Sequence, residues 1–125
     1  MGVSSYRELR VWQVGMSIAE QIYRMSAAFP KQELYGLTSQ MQRAAVSIPS
    51  NVAEGHARAS TKEYLHHLSI ALGSLAELET QLILAERLRY TGETSTESLL
   101  SQMDELGKML RSLQKSLKSK LASTP

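Results

Sequence analysis

The chain has 125 residues, 42% of them hydrophobic and 21% charged, with a formal net charge of +2 and no cysteine. That length fits one domain with its own core. The composition excludes a disordered chain, a disulfide framework or thiolate metal site, and a nucleic-acid binder that relies on bulk charge. Aromatic residues are only 6%, while Ala, Leu, Ser, Gln and Glu dominate, which favours helix over sheet. The start, MGVSSYRELRVW, has no apolar segment followed by a cleavage site, and no apolar run nears the ~20 residues that span a bilayer. A cytoplasmic protein off the membrane is expected.

Four helices are predicted, over residues 6–29, 36–57, 61–89 and 97–121. In the first, Leu9, Trp12, Met16, Ala19 and Tyr23 share a face that Ile18, Ile22 and Met25 widen, and Pro30 ends it. The second carries Leu37, Met41, Ala44, Ala45, Ile48 and Val52 on one side. The third opens on a capping-box pattern, Ser60-Thr61-Lys62-Glu63, and the fourth on a second one, Thr94-Ser95-Thr96-Glu97. The fourth then runs a seam of Leu99, Met103, Leu106, Leu110, Leu113 and Leu117, in alternating steps of four and three, which Leu121 prolongs. No strand alternation is visible. Short connections between such helices predict an all-α, antiparallel up-down-up-down four-helix bundle.

Residues 40–55, QMQRAAVSIPSNVAEG, are unusual for such a helix. A polar line of Gln40, Arg43, Ser47, Asn51 and Glu54 runs beside the apolar side at helical spacing. Pro49 interrupts the hydrogen-bond ladder, at ~3 kcal/mol if nothing compensates; a bend that fits the helix round its bundle is the expected reason. The hydroxyls of Ser47 and Ser50 are candidates to satisfy the freed backbone groups. On the third helix Glu79 and Glu86 point into the apolar arc, where a carboxylate needs a partner, and Arg43 and Asn51 are the candidates. Two readings of this seam of Arg43, Ser47, Asn51, Glu54 and Glu79 remain: a polar ligand pocket, or a satisfied buried network that fixes helix register or a subunit contact. The second is the expectation.

The third helix has more apolar surface than one bundle needs. Leu65, Leu68, Leu72, Leu75, Leu78, Leu82, Ile83 and Ala85 cover over half its circumference, and Ile70, Leu84 and Leu88 project from the rest. Burial on a second side by another subunit is the expected explanation. Catalytic and metal constellations are thin. His66 and His67 are adjacent and diverge by ~100° on a helix, and Glu63 with His67 makes a surface pair one turn apart. No cofactor, no metal and no enzyme activity are expected. After Glu105 the chain has five cations and no acid; of these Lys108, Arg111, Lys115 and Lys118 fall within an arc of ~80° off the leucine seam. They form the candidate nucleic-acid face, set against a plain solvated surface that suits the helix dipole.

Four segments carry a resemblance to a known family: LRVWQ at 9–13, AEQIYRMSAAFPKQELYGLTSQ at 19–40, RAAVSIPSNVAEG at 43–55 and GSLAELETQL at 73–82. They resemble the bacterial four-helix-bundle family found in intervening sequences of large-subunit ribosomal RNA genes. The resemblance implies a four-helix bundle assembled as a ring-like homopentamer. A more distant relative implied by it is the accessory protein of diversity-generating retroelements, also a pentamer, which works with a reverse transcriptase and RNA. The chain departs from the family where Gln42 and Arg43 replace a frequent Arg-Arg pair and where His56-Ala57-Arg58 replaces a small residue followed by Gly-Arg. The resemblance implies a fold and an assembly and names no reaction, so the expected function is a non-enzymatic interaction scaffold, with an RNA- or DNA-binding accessory role as the alternative.

Overall fold

The computed structural model describes residues 5–122, all in helices, turns and short connections. Four α-helices follow in order: α1 Arg10–Ser26, α2 Leu37–Ala57, α3 Thr61–Arg87 and α4 Glu93–Ala122. Single 3-10 turns, Tyr6–Glu8 and Lys31–Glu33, precede α1 and α2. Helix α1 starts later than the sequence pattern predicts because Leu9 is extended, with φ −73 and ψ 129. The preceding turn is closed separately, by the Ser5 hydroxyl accepting from the Arg7 amide at 3.2 Å.

The helix ends show which start and stop signals act. Ser60 caps α3, its hydroxyl accepting from the Glu63 amide at 3.0 Å, as the capping-box pattern predicts. The second box does not act. Helix α4 begins at Glu93, and Thr96 turns inward at 2% exposure with its hydroxyl on the Gly92 carbonyl at 2.8 Å. Starting there places Thr96, Leu99 and Met103 on the core side at helical spacing, and that burial outweighs a surface cap. Helix α3 ends in a Schellman motif: the Tyr90 amide donates to the Ala85 carbonyl at 2.9 Å and the Arg89 amide to the Glu86 carbonyl at 2.8 Å. Arg89 occupies the left-handed position that glycine usually fills, at φ 63. Helix α2 is capped from a distance. One oxygen of Glu33 accepts from the Leu37 amide at 3.2 Å and the other from the Tyr90 hydroxyl at 2.9 Å. Tyr90 in turn packs on Phe29 with ring centroids 5.5 Å apart, so one carboxylate ties together the connections at this end of the bundle.

Contacts run from α1 to α2, α2 to α3, α3 to α4 and α4 back to α1, with no diagonal pair among the described residues. The four helices therefore form a bundle with a square cross-section. Ser26 meets Gln42 and Gly15 meets Pro49 between α1 and α2. Between α2 and α3, Ser47 meets Ser74 and Asn51 meets His67. Between α3 and α4, Ser69 meets Gln114 and Leu75 meets Gly107. Ile18, Ile22, Met41, Ile48, Val52, Leu68, Leu78, Leu82, Met103, Leu106 and Leu110 are fully enclosed at the centre. Pro49 stands inside an unbroken α2 and serves packing: the ring is buried and lies 3.5 Å from where a Cβ on Gly15 would be.

Two expectations about apolar faces change. Helix α1 buries most of its predicted face and leaves one edge out. Val11, Gly15, Ile18, Ala19, Ile22 and Ser26 face the core, Leu9, Trp12 and Met25 pack against it, and Met16 at 37% and Tyr23 at 47% stay exposed. Helix α3, by contrast, is long and apolar enough to cross a membrane by length and composition, with mean hydropathy 1.3 over its best window; the absence of any such run does not hold. Its apolarity is divided. Leu68, Ala71, Leu75, Leu78, Leu82 and Ala85 are buried between α2 and α4, and Ile70, Leu84 and Leu88 remain 38–46% exposed on the outside.

Arg89 gives the fold a measurable strain. An L-residue with a side chain in the left-handed region costs roughly 1–2 kcal/mol, partly offset by the greater unfolded-state freedom of glycine. Arg89→Gly is expected to raise stability by about 1 kcal/mol, read as an increase in the urea midpoint at unchanged m-value.

Candidate polar seam and basic face

The polar line of α2 becomes a hydrogen-bonded chain only where α3 comes close enough to complete it. Gly55 permits that approach: a Cβ there would lie 2.9 Å from both His67 Cβ and Tyr64 Cδ1. One and two turns earlier on α2, Asn51 and Ser47 face α3. The Asn51 Nδ2 donates to the Ser47 carbonyl at 2.8 Å and to the Ser47 hydroxyl at 3.1 Å. A carbonyl can only accept, so the amide orientation is set and Asn51 Oδ1 faces His67 Nδ1 at 3.0 Å. That ring nitrogen must then carry the proton. The Ser47 hydroxyl continues the chain to Ser74 Oγ at 2.8 Å. It does not turn back to the backbone freed by Pro49. The sequence His67, Asn51, Ser47, Ser74 is thus a satisfied network, with Asn51 at 9% exposure.

The other seam residues are placed differently. Glu54 is exposed and lies 3.8 Å from His67 Nδ1, an ion-pair distance outside hydrogen-bond range. Arg43 is exposed. With Tyr35, Ser39, Gln40, Ser74 and Glu77 it lines an open polar basin of about 420 Å³ between α2 and α3. Glu79 does not join the seam. It faces α4, where burial and the nearby Asp104 push its carboxyl above the usual range while Arg111 pulls it down. The expected pairing of Glu79 with Arg43 or Asn51 is therefore corrected: Glu77, two residues earlier, is the acid on the α2 side. The expected surface pair of Glu63 and His67 gives way to the Asn51 and Glu54 contacts. His67 and Ser74 are the seam residues that sequence reasoning missed. The available signal was a heptad line of polar residues on α3, His67, Ser74 and Gln81. Gln81 completes it at 7% exposure, and its Oε1 has no hydrogen-bond partner.

The basic residues of α4 lie where the seam predicts. Lys108, Arg111, Lys115 and Lys118 are all exposed, while Leu106 and Leu110 are enclosed. Arg111 is partly engaged. Its guanidinium folds over Gly107, with Nη2 3.2 Å from where a Cβ there would be, and its charge acts on Glu79. No group of three or more His, Asp or Glu among the described residues is arranged to hold a metal ion. His66 and His67 stand with ring planes 69° apart.

The position of Glu79 against α4 sets the effect of removing it. A carboxyl raised above its unfolded value binds more protons when folded, so its contribution to stability falls as pH rises above the ordinary carboxylate range. Glu79→Gln is expected to leave stability at pH 7 unchanged or higher, and the gain should vanish below about pH 4, where the unfolded carboxyl is also protonated. Urea titrations at the two pH values check this; a large loss at pH 7 is the contrary result.

Over residues 7–112 the chain matches the 23S rRNA-intervening sequence protein family. A crystal structure of a protein of unknown function from Bacteroides thetaiotaomicron, placed in the S23 ribosomal protein family, has a similar fold, with a TM-score of 0.78 at 25% identity. That similarity covers 84% of this chain and 95% of the other. No curated protein matches the chain. The matched residues include both sides of the α2–α3 seam and α4 through Ser112. The chain belongs to the 23S rRNA-intervening sequence protein family.

Proposed function

We propose that this chain is a non-enzymatic, self-assembling scaffold: one domain, an antiparallel up-down-up-down bundle, that associates with copies of itself. The crosswise pairs of Ser26 with Gln42, Ser47 with Ser74 and Ser69 with Gln114 support the antiparallel order. The observation that carries the self-association is the exposure of Leu84 and Leu88 near the end of α3, and of Ile70 nearer its start, on a helix whose core side is already filled. The resemblance to ring-forming relatives supplies the number five. The reading needs no cofactor or metal. It keeps the protein cytoplasmic and off the membrane, and what supports this for α3 is that its other apolar side is packed between α2 and α4.

Magnitudes constrain the interface. Fully burying a Leu or Ile side chain is worth about 1.5–3 kcal/mol, and these three residues are already more than half covered. Their gain is a few kcal/mol, against an association cost of about 4–15 kcal/mol. A stable assembly therefore needs a second apolar surface. Light scattering on a sizing column at micromolar concentration is expected to give a mass near five chains; a clean monomer overturns the scaffold reading.

A second reading, nucleic-acid binding, is favoured by the exposed cations of α4. A ring would multiply the stripe of Lys108, Arg111, Lys115 and Lys118 into a larger positive field. Such binding would be insensitive to base sequence and fall steeply with salt. Changing all four to Gln is expected to abolish RNA retention at ~50 mM salt, near the low end of the usual titration range, while leaving the bundle folded. Absence of retention by the unchanged protein at that salt retires this reading.

A further inference from the structure

The open basin between α2 and α3 encloses about 420 Å³, within the range of about 300–1,000 Å³ that small-molecule sites span. Arg43 stands on its α2 wall and Glu77 on its α3 wall. Neither forms an ion pair or a side-chain hydrogen bond within the described residues. A guanidinium and a carboxylate therefore face one cavity without neutralising each other. Ser47 and Ser74, both half-buried, also line it. Each serine brings one hydroxyl proton, and a single bond of 2.8 Å joins the two oxygens. The Asn51 amide donates to the Ser47 hydroxyl and so takes up no proton. Whichever serine donates to the other, one hydroxyl proton at the basin is left without a protein acceptor.

We propose that this basin binds a small zwitterion bearing one carboxylate and one ammonium group, of the α-amino-acid class. Arg43 takes the carboxylate, which its fork of donors fits as a bidentate pair, and the spare serine proton is a further donor for the same group. Glu77, an acceptor only when ionised, takes the ammonium. The remaining wall, Gln40 and Tyr35, is left for the side chain of the ligand. The pattern selects against a single charge. A simple anion would sit beside Glu77 and be repelled, and a simple cation would meet Arg43 in the same way. Only a molecule with both charges engages both walls. The site lies within one chain, so it stands apart from self-association: its failure leaves the scaffold reading untouched, and a monomeric protein leaves the site untouched.

Ligand-observed saturation-transfer NMR tests this whatever the mass of the assembly. The full chain is titrated with each of the common L-amino acids up to about 10 mM, enough to saturate a site with a dissociation constant of about 1 mM. Acetate and methylammonium serve as single-charge probes. The expected result is saturable binding of at least one amino acid, with both single-charge probes at least tenfold weaker. Arg43→Gln and Glu77→Gln, both at exposed positions, should each weaken that binding at least tenfold, while Glu97→Gln on α4 leaves it unchanged. Circular dichroism verifies that the variants stay folded, and the single-charge probes decide the case on the unchanged protein if one does not. Three results overturn the proposal: no saturable binding of any amino acid, acetate binding as tightly as the amino acid, or full affinity in a folded Glu77→Gln.

Discussion

Helix α2 has to approach two neighbours at close range, and the whole bundle depends on how it does so. Toward α1 the contact is Pro49 against Gly15, where even an added Cβ would lie at ordinary van der Waals distance, 3.5 Å, from the ring. Toward α3 the contact is Gly55 against Tyr64 and His67, at a distance that no Cβ could occupy without displacing α3. These crossings set the interhelical spacing. A larger residue at Gly55 would push α3 away and open the packing around Ile48 and Val52, both of which are fully enclosed.

The same spacing brings polar groups within bonding range. Each link from His67 through Asn51 and Ser47 to Ser74 has a matched donor and acceptor. Leaving one such buried group unpaired costs about 1–3 kcal/mol, so sliding α2 along α3 by a turn would cost several of these at once. A satisfied network of this kind specifies register more than it adds stability. At the far end of the bundle Glu33 has a comparable role, holding the amino end of α2 and the hydroxyl of Tyr90 with one carboxylate. Its hydrogen bond, before burial, holds the Tyr90 hydroxyl above its ordinary range.

Outside the filled core, an apolar groove lies between α1 and α2, and Leu84 and Leu88 stay exposed near the end of α3. A separate stripe of cations occupies α4. The polar basin beside Arg43 is open and holds Glu77 in place of Glu79, which separates the residues that a seam-based active site would have had to bring together.

The sequence by itself determined four helices, the cap at Ser60 and the leucine seam of α4, because these are set by local spacing and backbone chemistry within a few residues; α1 ends at Ser26, ahead of the expected stop at Pro30. It also marked α3 as apolar beyond its core side, since that is a property of a single helix, and Ile70, Leu84 and Leu88 stay partly exposed. Only the tertiary structure decided where the wide apolar face of α1 ends, with Ile18 and Ile22 enclosed and Met16 and Tyr23 exposed, because helical period marks a face and not its edge against a neighbour. It likewise decided that Glu79 faces α4 and His67 completes the seam. An angle on one helix does not say which neighbour lies in that direction, and a difference of two residues turns a side chain from one neighbour to another.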